Sequence, residues 1–470
     1  MPPKKPGDPP PYPPRPDIRA VILAAGRSSR FLSGHKALPP PEGPGLLGKA
    51  AGLLSLAGLT SPLVVVGHRR DEVAAEALCV GAEVVVNPDP DRGMFSSAVL
   101  GLEAAAGAEA IAVLPADCAF ASGALVLGAL GLYFGLEDKG PESAVIPVHG
   151  GRTGHPVILG RAAAARALEY KGQGGLRGAL AEMAESGEDR ARLLEGFAPD
   201  KQRSGNLAFL FTRDPNALCD IDTDEDLALA LSATKPCFKP DLASAMALAK
   251  LAGPPRKLPH AAMVARLAVR LSSALKAACP QLAFMGAVLH DVDHGPSRHD
   301  LAAAKRLMEI GWPDLAAVVG AHTELPAAWA RSAGYEGPVG VRHLEDAFVY
   351  EGWVPEVVEA AVIVHMADKY AKGDKLVSID ERFGAFMAYG GDPEVLAHVR
   401  RRWNAARAIE RRFSERLGRP PLEAIMEPVS DRRLRPLEEM AGGLLQANPL
   451  AGFGEVIESF FGEVQDHSGA

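Results

Sequence analysis

Residues 21–36 read VILAAGRSSRFLSGHK, and the fold follows from how this stretch is parsed. Residues 18–23 form an apolar run rich in β-branched side chains, which predicts a buried strand. Ala24, Ala25 and Gly26 then open a polar loop that carries Arg27, Arg30 and Lys36. A strand that empties into a glycine-containing loop presents backbone N–H groups, and fixed positive charge beside them suits a polyphosphate. A strand followed by a basic surface turn has the same local pattern, so the decision rests on what comes next.

The alternation continues downstream. The pattern predicts a helix over 46–59, a strand over 62–67, a helix over 71–78 and a strand over 83–86. A further helix runs from near Ser96 to about 108, and a strand over 110–117 ends in a carboxylate. Such alternation predicts an α/β doubly wound, Rossmann-like domain, with a parallel sheet covered by helices on both faces. Asp117 sits where a strand-end carboxylate faces the ligand crevice and can give magnesium an oxygen; capping the next segment is its alternative use. Residues 43–50 (GPGLLGKA) miss the hydroxyl and the preceding strand of a phosphate loop.

Length and composition bound the rest. A chain of 470 residues exceeds the usual reach of one core, and 47% hydrophobic residues furnish more than one. A net charge of -8 argues against wholesale binding to nucleic acid or an anionic membrane. Five cysteines without a Cys-x-x-Cys pair fit a reducing, cytoplasmic setting and offer no thiolate metal site. Residues 1–17 read as a disordered Pro-rich tail rather than a signal peptide. Residues 119–136 are uncharged and long enough to span a bilayer, but their Ala/Gly content and their place after a strand end predict a buried helix.

Five motifs occur in order: LAAGRSSR with Lys36, NPDPDRGMFSS (87–97), LPAD (114–117), GRTGHP (151–156) and DIDTDEDL (220–227). The set resembles the MobA/MocA-like nucleotidyltransferases of molybdenum-cofactor maturation, over roughly residues 18–231. The resemblance implies transfer of a nucleotidyl group from an NTP–magnesium complex to a phosphorylated acceptor such as molybdopterin, with release of pyrophosphate. It assigns Leu23, Ala24, Ala25 and Gly26 to base and phosphates, Arg30 and Lys36 to the triphosphate, and Asp117 and Asp222 to Mg2+. Gly93, Ser96, Ser97 and His155 fall on the acceptor side, a structural role for His155 standing equally open. Ala25 in the loop points to CTP within this family. FLSGH makes the interval from Arg30 to Lys36 one residue longer than the family's usual spacing. A sugar- or polyol-phosphate acceptor is the alternative within the same chemistry.

Beyond the junction at 232–240 the pattern changes to long Ala/Leu helices, which marks an all-α domain. His290 and Asp291 lie inside the apolar run AFMGAVLHDVDHG, and Asp368 lies inside VIVHMADKY. A carboxylate in such a run is costly unless it is paired or metal-bound. With His260, His299 and His322 the donors are imidazole and carboxylate, a set suited to iron, manganese, zinc or nickel. The pattern resembles the HD-domain metal-dependent phosphohydrolases over roughly 240–418, in the form that holds two metals with Asp291 bridging. It implies two divalent transition metals, iron or manganese, and phosphoester hydrolysis; Arg382 and residues 367–382 fit that family's closing helices. His294 stands where relatives carry Lys after the pair, and reads as a phosphate contact, an extra ligand or a helix-end histidine. The expected organisation is therefore a tail (1–17), a transferase domain (18–235), an HD domain (236–418) and a C-terminal helical extension (419–470). The alternative is a nucleotide-sensing, non-catalytic first domain that regulates the hydrolase.

Overall fold

The structure, a computed structural model, describes residues 16–31, 34–39, 44–136, 140–233, 239–293, 298–335, 353–388 and 390–453. These form two compact units that divide between Ala247 and Leu248. The tail at 1–15, part of the junction (234–238), His294 and residues 454–470 lie outside the described residues. Among the described residues no helix is long and apolar enough to cross a membrane.

The first unit is built on one mixed sheet. Its strands are β1 (Ile18–Ala24), β2 (Leu63–Val66), β3 (Glu83–Val86), β4 (Ala110–Pro115), β5 (Ala144–His149), β6 (Arg152–Thr153), β7 (Val157–Gly160), β8 (Arg203–Ser204) and β9 (Leu207–Phe211). The order across the sheet is β3-β2-β1-β4-β7-β5-β9-β8, with β6 paired to β5. β1, β2, β3 and β4 are mutually parallel, as expected. The expectation of an all-parallel sheet fails at β7, which runs antiparallel to both β4 and β5. The reason is local: β5 turns through Gly150 and Gly151, both at positive φ, into the short β6 and returns without a crossover helix.

Alternate residues of the central strands (Val21, Leu23, Leu63, Val65, Ile111, Val113) join one core cluster with Ala98 and Leu102 of helix Met94–Ala104. The intervening Ile22 and Val64 are also fully buried, so both faces of the sheet are covered. Residues 119–136 supply the buried helix Gly123–Phe134, capped by the Ser122 hydroxyl, which accepts from the Leu125 N–H. The chain leaves β1 outward through β2 and β3, then returns to β4 on the other side of β1. That reversal opens a crevice beyond the C-terminal ends of β1 and β4.

The second unit is helical. Helices Leu258–Leu275, Pro280–Leu289 and Pro355–Lys369 pack on one another, and Pro313–Gly320 packs against the last two. A Cβ at Gly286 would lie 2.4 Å from Val318 Cγ1, so the close approach of these helices depends on a hydrogen at this position. Two-residue strands, Ala371–Lys372 and Lys375–Leu376, form a small hairpin after the last of them. Helices Pro421–Met426 and Arg435–Met440 pack against Leu258–Leu275 within the same unit.

Candidate functional site

In the first unit, Leu23, Ala24, Ala25, Gly26, Arg30, Lys36, Gly93, Ser97, Asp117 and Asp222 all line one cleft of about 420 Å³ at the strand ends. Asp117 lies in the 3-10 turn Ala116–Cys118, just past β4. The Ile221 N–H donates to the Asp117 carbonyl (3.2 Å), which brings the DIDT segment beside it. Lys36 joins the two carboxylates: its Nζ lies 2.9 Å from Asp117 Oδ2 and 3.3 Å from Asp222 Oδ1, and donates to Ile221 O at 3.0 Å. Burial pulls the Lys36 ammonium down, but Asp117, Asp222 and Asp220 together outweigh that and raise its pKa, so it stays charged. Arg30 Nη1 is 2.7 Å from Asp222 Oδ2. An ammonium spanning two carboxylates marks the position where their oxygens converge on a cation. The residues present therefore fit Mg2+.

The loop before Lys36 is held by groups that the sequence did not single out. His35 is buried; its Nδ1 accepts from the Ala37 N–H (3.4 Å), which leaves Nε2 to donate to Gly26 O at 3.0 Å. Burial lowers its pKa and keeps it neutral. Ser28, at φ 55, offers its hydroxyl to the Lys36 N–H. These contacts fix the backbone on either side of Lys36, whose ammonium lies against the carboxylates. Asp220 lines the same cleft, its pKa raised by burial and by its neighbours Asp117 and Asp222. The alternation Asp-Ile-Asp was the available signal for it.

Ser96 and Ser97 both accept from Asn87 Nδ2 at 2.9 Å, and the Ser96 hydroxyl also donates to Gly93 O. His155 lies elsewhere, in an adjoining cavity of about 240 Å³ lined by Met94, Phe95, Gly154, Leu176 and Arg177 among others. Burial pushes its pKa down to about 4, so the ring is neutral.

In the second unit, all six expected histidine and aspartate positions meet, in two trios. His260, His290 and Asp368 form one, and Asp291, His299 and His322 the other, each with its ligand atoms within 4.8 Å of one another. In three of the histidines the ring is oriented by the main chain: Nδ1 of His260, His290 and His322 faces Gly373 O (3.0 Å), Ala287 O (2.7 Å) and Val319 O (2.7 Å). With Nδ1 donating, each Nε2 carries the lone pair a metal needs. His290 Nε2 is buried and has no hydrogen-bond partner among the described residues, a costly state that a cation relieves. His260 Nε2 lies 3.1 Å from Asp368 Oδ1, and His299 Nε2 lies 3.4 Å from Asp291 Oδ1 and 3.2 Å from His322 Nε2.

Burial raises the pKa of Asp291, but His290, His322 and Lys257 outweigh it and hold the carboxyl well below its usual range. Burial and then His290 push His322 down to about 3. Two carboxylates held anionic among imidazoles make a donor set suited to divalent ions.

Several contributors escaped the sequence. Lys369 is buried and its Nζ donates to Asp368 Oδ2 (2.7 Å) and His322 O (3.2 Å); burial brings its pKa to about 8. His365 Nδ1 faces the same His322 carbonyl at 2.9 Å. Arg402, on helix Pro393–Leu417, turns inward and donates to Thr323 O. Lys257, one turn before His260, lies 3.1 Å from Asp291 Oδ2.

Comparison with known proteins bears on the first unit. The family model described as MobA-like NTP transferase domain matches residues 20–187. Nicotine blue oxidoreductase of Paenarthrobacter nicotinovorans is 37% identical over 90 residues, which are 19% of this chain and 44% of that protein. The chain thus matches less than half of that relative's length. Among solved structures, a nucleotidyl transferase from Methanothermobacter thermautotrophicus is 24% identical, covering 45% of this chain and 94% of its own, with TM-score 0.35. Rv0371c from Mycobacterium tuberculosis is 24% identical, covering 47% of this chain and 99% of its own, with TM-score 0.36.

Proposed function

We propose that the chain is a bifunctional enzyme: a magnesium-dependent nucleotidyltransferase at residues 18–235 and a two-metal HD phosphohydrolase at 236–418. The observation that carries the first half is Lys36 held between Asp117 and Asp222 at the mouth of β1 and β4. Magnesium, when bound to those carboxylates, neutralises charge on the triphosphate. Lys36 and Arg30 then turn from the carboxylates to the β- and γ-phosphates. The loop at Leu23–Gly26 presents its backbone to the base and phosphates. An acceptor phosphate oxygen attacks the α-phosphorus, the bond to the β-phosphate oxygen breaks, and pyrophosphate leaves with the electron pair. Positioning and charge neutralisation, rather than covalent chemistry by the protein, supply the rate.

We read CTP as the donor and a molybdopterin-type phosphate as the acceptor. The test is pyrophosphate release by the purified chain with each NTP, Mg2+ and candidate acceptors. CTP-selective release supports the reading, and release with a polyol phosphate alone redirects it to the other acceptor class.

The second half rests on the two trios and on His290 Nε2, which has no hydrogen-bond partner among the described residues and lies 3.6 Å from Asp291 Oδ2. Iron or manganese there would activate water and neutralise a phosphate ester. His260, His290 and Asp368 would hold one ion, and His299 and His322 the other, with Asp291 between them. Metal-dependent hydrolysis of a generic phosphoester, lost in His290→Ala while NTP binding persists, is the expected result.

A further inference from the structure

Each trio has a cation at its edge that the roles above leave unassigned. Lys257 Nζ is 3.1 Å from Asp291 Oδ2, and Arg382 Nη2 is 3.2 Å from Asp368 Oδ1. Their side chains keep 27% and 17% exposure, whereas Lys369, on the other oxygen of Asp368, keeps 2% and also bonds His322 O. Lys369 is therefore part of the buried interior, and the other two reach solvent. The oxygens they hold belong to the carboxylates that a metal pair needs. Asp368 Oδ1, for instance, is shared by Arg382 and by His260 Nε2. Divalent ions in the trios would compete for those oxygens and repel both side chains at short range.

We propose that Lys257 and Arg382 form a two-point clamp that passes from the carboxylates to the substrate and selects phosphomonoesters over phosphodiesters. The proposal rests on the hydrolase reading. A monoester end carries close to two negative charges and three terminal oxygens. A diester carries one charge and two free oxygens. Two ions and two protein cations are more anchors than a diester can serve, and they match a monoester. Arg382 adds a planar fork suited to two phosphate oxygens, and Lys257 a mobile point charge. In the reaction, water adds its oxygen to phosphorus and the ester P–O bond breaks with its electron pair on the alcohol oxygen. That oxygen takes a proton from the same water, so the products are the alcohol and hydrogen phosphate.

The test uses the full chain, stripped with chelator and reloaded with Mn2+, with the His290→Ala chain subtracted to remove any contribution from the first unit. Calorimetry reads Mn2+ and then inorganic phosphate binding; p-nitrophenyl phosphate and bis-p-nitrophenyl phosphate read the two ester classes. Lys257→Ala and Arg382→Ala should bind Mn2+ as tightly as the parent or more so, because a competitor for the carboxylates has gone. Phosphate affinity should fall about tenfold or more, and monoester kcat/KM about 10²-fold, with the diester rate little changed. Lys257→Arg should recover most of the loss. Equal losses on both esters, or Mn2+ affinity falling together with phosphate affinity, would overturn the clamp while leaving the hydrolase intact. A parent chain that binds no more Mn2+ than His290→Ala overturns the hydrolase reading and the clamp with it.

Discussion

In the proposed transferase, Lys36 is the residue on which the chemistry turns, because its charge is what faces Asp117 and Asp222. Lys36→Gln keeps the length and removes the charge. Pyrophosphate release should fall by about 10²-fold or more, with NTP-induced thermal stabilisation reduced in parallel; an unchanged rate would remove Lys36 from the transfer step. His155 gives a pH prediction. Its folded pKa of about 4 lies below the ordinary imidazole value, so below about pH 6.5 the unfolded chain binds more protons than the folded one. Its contribution to stability is complete above that value and is lost as pH falls towards 4. Urea unfolding at pH 7 and pH 5 should show a steeper loss in the parent than in His155→Asn, which cannot titrate. At this scale the sequence was readable where a rare residue followed an apolar run: Asp117 at a strand end, His290 and Asp291 just past the end of an apolar helix. Lys257 and His35 were not, since a lysine or histidine in a polar segment has no signature until tertiary contacts give it a partner; Lys369, beside Asp368 in the apolar run VIVHMADKY, carried the same signal as Asp368 and was passed over.

At the scale of elements, the parallel half of the sheet was legible because buried β-branched runs alternated with helical ones. The direction of β7 was not. Its four residues, VILG, have the composition of any buried strand, and only the turn at Gly150–Gly151 sends it back between β4 and β5. The same return path creates a tight crossing. A Cβ on Gly154 would lie 2.1 Å from the Ala217 carbonyl oxygen, which is backbone and cannot swing away. Gly154→Ala should therefore destabilise the unit by about 1–3 kcal/mol, read as a lower midpoint in urea. Because Gly154 lines the cavity beside His155, acceptor use should suffer while NTP binding is retained. A fully stable variant would mean that the 215–218 turn yields more readily than its packing implies.

For the whole molecule, a ligand bound by the folded state alone raises stability with the logarithm of its concentration over Kd. Mn2+ at 100 times its Kd should stabilise the second unit by about 2.7 kcal/mol. The gain should be reversed by chelator and absent in His290→Ala and Asp291→Ala. Mn2+ that shifts no unfolding transition would mean that the trios are ordinary buried ion pairs. The two-part organisation was visible as a change from alternating strands and helices to helices alone. The exact division was not visible, because a helix of Ala and Leu serves either unit equally well.

In the proposed transferase, Lys36 also sets an order of arrival. With its ammonium between Asp117 and Asp222, the resting cleft is already close to electrical balance, and a stray ion from the solvent finds its place taken. A divalent ion delivered with a triphosphate meets no such refusal, because the incoming anion gives the displaced lysine somewhere to go. Turnover should accordingly follow the concentration of the ion–nucleotide complex rather than that of the free ion. The first unit can then stand in millimolar magnesium without holding any of it until a nucleotide comes.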